Sequence, residues 1–235
     1  MSELLTSIPL FEPFIEYAFM RRALAGCLAL SLGATPIGVF LMLRRMSLAG
    51  DAMAHAILPG AAIGYLIAGL SPSAMTVGGL LAGIAVALLA GGVARSSVLK
   101  EDASLAAFYL MSLAAGVLII SARGSSVDLL HVLFGSVLAL DDQALLLLAA
   151  IASVSVLLLA GGLGLLVLEC CDPAYLARVS RLAPLTHYGF LVLVVLNLIG
   201  GFHALGTLMA VGIMILPAAA ARLWAEDIAA LLLVA

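Results

Sequence analysis

Apolar residues fill this chain in long blocks, interrupted by short polar clusters, rather than in the alternating or one-sided patterns of a water-soluble fold. A bilayer's hydrocarbon core needs about 20 apolar residues per crossing helix. Blocks near that length run from Ala23 to Leu43, Ala52 to Leu70, Ala74 to Ala94, Ala103 to Ala122, Ala144 to Leu168, Leu185 to Ile199 and Leu205 to Ala221. The expected fold is all-α, a single polytopic transmembrane helix bundle over residues 1–235 with about 7–8 spanning helices. An eighth block starts at Ile228 and stops at Ala235, too short to cross, so the C-terminal helix reads as incomplete.

Two weaker blocks complete the pattern. Ser125 to Leu140 would be about 24 Å long as a helix and carries Asp128 and His131, which suits a re-entrant or outer-surface helix. Residues 1–22 form an N-terminal segment in which Ile8 to Met20 resembles an interfacial helix. Glu3, Glu12 and Glu16 stand where a cleaved signal would need basic residues.

The basic residues give an orientation. With these spans, Arg44, Arg45, Arg95, Lys100, Arg178, Arg181 and Arg222 share one side, against Arg21, Arg22 and Arg123 on the other. The first side is expected to be cytoplasmic. The polar loop at residues 169–184 then faces the cytoplasm too.

Composition agrees with membrane residence and lipid contact: 65% of the 235 residues are hydrophobic and 10% charged, against about 25% charged in soluble domains. A net charge of -3 and the absence of a basic run argue against a nucleic-acid partner. Cys27 reads as a small buried hydrophobe, and the adjacent Cys170 and Cys171 as reduced thiols facing the cytoplasm. Among the glycines, Gly60 with Gly64 and Gly79 with Gly83 have the spacing that lets helix backbones approach closely.

The candidate chemistry concentrates in RRMSLAGDAMAHAILPG, Arg44 to Gly60. Asp51 and His55 are one helical turn apart, so a helix from Gly50 puts both on one face. An ionisable residue in a membrane segment costs about 2.5–3.5 kcal/mol on insertion scales. The two either satisfy each other, or bind an ion, or relay protons. On an unbroken helix His55 would lie about 15 Å deeper than Arg45, and Pro59 breaks the hydrogen-bond ladder one turn later. His203, in GGFHALG, is a second intramembrane candidate, with an ordinary interfacial histidine as its alternative. His131 and His187 lie beside loops and read as surface residues. Asp141 and Asp142 could attract cations or simply form a solvated turn. The chain has no H-E-x-x-H pair, no G-x-S-x-G elbow and no G-x-x-x-x-G-K-[ST] phosphate loop, so nucleotide energy would have to be supplied by another chain.

RRMSLAGDAMAHAILPG, KEDASLAAFYLMSLAAGVLII, DLLHVLFGSVL, CDPAYLARVSRLAP and GTLMAVGIMILPAAAARL, in order from about Phe14 to Leu223, resemble the membrane permease subunits of bacterial zinc and manganese ABC importers. The resemblance implies a homodimer in the bacterial inner membrane, two cytoplasmic ATPase subunits, and a separate extracytoplasmic metal-binding protein that delivers the ion. It places Asp51 and His55 on the family's G-D-x-x-x-H motif, which holds the ion in transit. Asp172, Tyr175, Arg178 and Arg181 fall in the segment expected to dock on the ATPase. RVSRLAP lacks the family's usual leucine-glycine step, which puts that docking geometry in question.

Carboxylate and imidazole without thiolate suit Zn²⁺ or Mn²⁺ better than Cu(I), with zinc slightly favoured. No permanently bound cofactor is expected, and the ion is cargo held by Asp51, His55 and His203. The rival reading is a proton-coupled secondary transporter or channel in which Asp51 and His55 relay protons.

Overall fold

The computed structural model describes residues 14, 16–46, 49–69, 71–98, 101–122 and 140–235. All regular structure in these residues is helical. The first expected span is α1, Ala18–Leu43. The second is divided into α2, Ala49–Ala56, and α3, Leu58–Ala68. Next come α4, Pro72–Ser96, α5, Glu101–Ala122, and α6, Asp142–Cys171. A short α7, Pro173–Val179, precedes α8, Ala183–Leu205, α9, Thr207–Ala221, and α10, Ile228–Val234. Most of the expected 125–140 segment, with Asp128 and His131, and residues 1–13 lie outside the described residues.

Among the described residues, six helical stretches are long and apolar enough to cross a membrane, α2 and α3 together forming one of them. The expected span at 205–221 is realised as α9, with 15 residues, about 22 Å long. The boundary moved because α8 runs on through Gly200 and Gly201 to Leu205 before the chain turns at Gly206, φ 79°. That φ is strained for any residue with a Cβ. Gly201 lets α9 fold back closely, since a Cβ there would stand 2.6 Å from that of Ala210.

Helix ends carry the local logic of the fold. At the end of α1 the Met46 N–H donates to the Leu41 carbonyl (2.9 Å) and the Arg45 N–H to the Met42 carbonyl (3.0 Å). Those two bonds define a Schellman motif, whose left-handed position is usually glycine. Here Arg45 occupies it, with φ 59°. The break between α2 and α3 falls at Ile57, two residues before Pro59. Pro59 has no N–H to give the His55 carbonyl, and Ser112 of α5 donates to the neighbouring Ala56 carbonyl at 3.1 Å.

Small residues set the packing. Gly60 and Gly78 approach so closely that a Cβ on either would run into the other's carbonyl, and Gly38 meets the Met214 carbonyl in the same way. Gly64 packs on Ala74, while Gly79 and Gly83 pack on Ile57. Both glycine pairs picked out by spacing therefore join helices. Asn197 of α8, buried, donates to Ser155 of α6 at 2.7 Å. Leu81, Leu118 and Leu157 stay exposed on α4, α5 and α6, as expected for helices that face lipid.

Charges divide between the two ends of the bundle. At one end Arg22 of α1 pairs with Asp142 of α6 at 2.7 Å, and Asp141 caps α6 by accepting from the Ala144 N–H. The acidic pair is thus committed to structural partners. At the other end meet the close of α1, α4 and α6 and the start of α5 and α8.

Candidate functional site

Helix α2 presents Asp51 and His55 on one face, with Asp51 Oδ1 3.6 Å from His55 Nε2. Because the chain is helical only from Ala49, His55 lies about 9 Å along the axis from the start of α2. The Asp51 side chain is half exposed and that of His55 largely covered, at 52% and 23%. The His55 ring lies against Tyr109 of α5, with centroids 5.5 Å apart and planes 34° apart. Its Nδ1 is buried and has no hydrogen-bond partner among the described residues. Metal-bound histidines usually donate their second nitrogen to an acceptor that raises ligand strength.

His203 lies near the end of α8, and its side chain is outside the described set. Among the described residues no three His, Cys, Asp or Glu side chains gather in a way that could hold a metal ion. Among the described residues Asp51 and His55 thus bring together one carboxylate and one imidazole, with no third such group beside them.

The segment expected to dock on an ATPase folds as α7. Asp172 caps it by accepting from the Tyr175 N–H at 2.8 Å. Leu176 is buried beneath the helix, whereas Tyr175, Arg178 and Arg181 are exposed. One apolar anchor and an outward face with basic residues make a short amphipathic element.

The structure also assembles a charged cluster that the sequence reading missed. His187, expected at the surface, is 3% exposed because the starts of α5 and α8 close over it with the ends of α1 and α6. Arg44 donates from Nη2 to His187 Nδ1 at 2.8 Å. Glu169 Oε1 lies 3.2 Å from the same nitrogen, so Nδ1 stands between a guanidinium that only donates and a carboxylate that only accepts. The other ring nitrogen, Nε2, faces Glu101 Oε1 at 3.4 Å. Glu169, also buried, lies 3.6 Å from Arg95 and 3.7 Å from Arg44. Arg44 further reaches Glu101 at 3.4 Å and covers the Phe190 ring, its Cζ 5.0 Å from the centroid. Two arginines thus balance two carboxylates, and leaving one such buried charge unpaired costs about 3–5 kcal/mol. A cavity of about 290 Å³ lies among them, reaching Cys170 and Pro173. The available signal was Glu169 at the close of an apolar run, LVLEC, with Arg44 and Arg95 ending other runs on the same side.

Crossing helices and lipid-facing leucines mark a multi-pass membrane protein. A profile of the ABC 3 transport family matches residues 16–235, and the chain belongs to that family. It is a transporter subunit, not an enzyme, with the ATPase on a separate chain. The chain is 30% identical over 218 residues to the manganese import system permease protein ScaB of Streptococcus parasanguinis, covering 93% of this chain and 76% of that protein. It is 31% identical over 224 residues to the manganese transport system membrane protein MntC of Listeria monocytogenes, covering 95% and 79%. A probable iron transport system membrane protein of Haemophilus influenzae is 32% identical over 209 residues, covering 88% and 75%. The solved structure of PsaBC from Streptococcus pneumoniae in complex with Fab superposes with a TM-score of 0.78 at 28% identity, over 95% of this chain and 79% of that one.

Proposed function

We propose that this chain is the membrane-spanning subunit of an ATP-driven importer of divalent transition metal ions, with Asp51 and His55 as ligands in transit. The observation that carries this reading is the pair itself, 3.6 Å apart on one turn of a membrane helix. Ligands about 2.2 Å from an ion, at angles of about 90–110°, are separated by about 3.1–3.6 Å. One carboxylate and one imidazole fit Mn²⁺, Fe²⁺ or Zn²⁺ by ligand type alone. The names of the relatives, manganese and iron systems, favour manganese over the zinc preferred from ligand chemistry.

A half-exposed Asp51 facing hydrocarbon would be costly. A second copy of the chain covering that face, with its own pair or with His203 completing the ion's shell, removes the cost and supports the homodimer. The face of α7 with Tyr175 and Arg178, Asp172 as its cap, and Arg181 in the turn that follows are read as the surface that seats on the cytoplasmic ATPase. An extracytoplasmic binding protein supplies the ion at the opposite end.

The test is metal accumulation in cells that lack their own manganese, iron and zinc importers. They are given this chain with its ATPase and binding protein, or the same set with Asp51→Ala or His55→Ala. One metal should accumulate, and either substitution should abolish accumulation while the complex still assembles. Undiminished uptake by both variants would remove the site assignment.

A further inference from the structure

The cluster of Arg44, Arg95, Glu101, Glu169 and His187 has no part in holding the ion as described above, yet it is the most heavily charged buried region described. Its contacts argue against a static brace. The carboxylate–guanidinium separations run from 3.4 to 3.7 Å, longer than the roughly 2.7–2.9 Å of a tight charge-assisted bond. Among the described residues Arg44 Nη1 and Glu169 Oε2 are buried without a hydrogen-bond partner, and Glu101 Oε1 and His187 Nε2 have only each other, at a long 3.4 Å. All four residues line the 290 Å³ cavity, which is roomy and polar enough for several waters. Such a network is closed but under-satisfied, and a small displacement re-pairs it at little cost.

Its connections give that displacement a direction. Glu169 lies three residues before Asp172, the cap of α7, and Pro173 at the head of α7 borders the cavity. On the other side, Arg44 opens the Schellman turn whose left-handed Arg45 leads the chain into α2 and the Asp51–His55 pair. Arg95 joins α4 to the same point, its guanidinium over the Tyr188 ring with Cζ 5.9 Å from the centroid. One charge network therefore touches the element read as the ATPase contact and the turn that sets the metal helix.

We propose that these five residues form a latch at the cytoplasmic mouth: His187, 3.2 Å from Glu169, together with Arg95 and Arg44 holds Glu169 closed, and movement of α7 withdraws Glu169, parts α4 from α6 and passes the change through Arg44 to α2. They are positioning residues, and the ion need not touch them. In the closed state the two guanidinium charges cancel the two carboxylates, so the mouth offers an ion no trap. This proposal rests on the reading of the chain as a permease driven by an ATPase.

Cys170 borders the cavity and supplies the test. With Cys27→Ser and Cys171→Ser as background, the chain is assembled with its ATPase in liposomes. Reaction of Cys170 with a membrane-impermeant maleimide on the ATPase side is timed, alongside ATP hydrolysis without binding protein. Arg95→Gln and Glu169→Gln should each label several-fold faster than the background and hydrolyse ATP several-fold faster, whereas Arg95→Lys should restore the background rates. Unchanged labelling and hydrolysis in assembled Arg95→Gln would overturn the latch. Should Glu169→Gln fail to assemble, Arg95→Gln alone decides, because Arg95 is partly exposed and less needed for folding. Metal uptake by the background complex is measured in the same liposomes with the metal-loaded binding protein added on the side opposite the ATPase. If that uptake is absent while ATP is hydrolysed, the permease reading itself fails, whatever the labelling shows.

Discussion

His55 stacks on Tyr109, their ring centroids 5.5 Å apart, and this contact orients the imidazole whose Nε2 faces Asp51. With Nδ1 unpartnered, no hydrogen bond fixes the ring, and packing by Tyr109 takes over that task. Freeing a buried side chain restores rotamer entropy worth on the order of 1 kcal/mol.

Tyr109→Ala should therefore raise the KM for metal uptake by about fivefold, the equivalent of that energy, with little change in maximal rate. Tyr109→Phe keeps the ring and should match the parent. A phenylalanine variant as impaired as the alanine one would show that the phenol oxygen, not the ring, is what matters.

Asp51→Asn keeps the shape of the carboxylate and removes its charge. If Asp51 is a ligand in transit as proposed, uptake at low metal concentration should fall by about tenfold or more. Binding of the ATPase subunit, measured by co-purification, should be unchanged. Uptake equal to that of the parent would show that Asp51 does no more than partner His55.

How much of this was legible beforehand depended on whether a feature is local. Six of the seven expected spans, the Asp51–His55 register and the Pro59 break follow from spacing within one helix, and the structure reproduces them, whereas the block at 205–221 gives only a 15-residue helix. The glycine pairs at 60/64 and 79/83 were legible as contact surfaces, but not which helices they join. His187 was misjudged because burial at a helix start depends on what other helix ends bring to it. Arg44, Glu101 and Glu169 come from three separate segments and meet only after packing. The α8–α9 boundary moved for a similar reason: Gly200 and Gly201 look like a loop in sequence, whereas in the fold Gly201 admits α9.

Arg45 holds a left-handed conformation that costs a non-glycine residue about 1–2 kcal/mol, and its Schellman motif ordinarily carries glycine. Arg45→Gly removes that strain but adds unfolded-state freedom worth about 0.5–1 kcal/mol. The thermal midpoint of the purified protein should stay level or rise slightly. Arg45→Val, β-branched at the same φ, should lower it by several degrees. Equal midpoints for both variants would mean that the turn relaxes away from the Schellman geometry.

Gly60→Ala and Gly78→Ala test the α3–α4 contact from both sides. In each, the new methyl would overlap a backbone carbonyl, which cannot swing aside as a side chain can. Overpacking of this kind costs about 1–3 kcal/mol, and both variants should express poorly or lose thermal stability. Gly212→Ala is the control, since its Cβ would meet Leu216 at an ordinary 3.8 Å. It should be neutral or stabilising, as alanine is the better helix former by about 1 kcal/mol. Loss of stability in the control alone would contradict the packing described.

The faces of α7 separate docking from folding. Leu176 is 1% exposed and anchors the helix to the bundle, so Leu176→Ala should cost about 2–5 kcal/mol and weaken the protein as a whole. Tyr175 and Arg178 are exposed and make no described contact that the fold would miss. Tyr175→Ala with Arg178→Glu should leave the thermal midpoint of the isolated chain within about a degree, since exposed substitutions seldom exceed 0.5 kcal/mol. The same pair should abolish co-purification of the ATPase subunit and, with it, uptake. Retained ATPase binding would place the docking surface elsewhere, and the latch would then need a different element to move it.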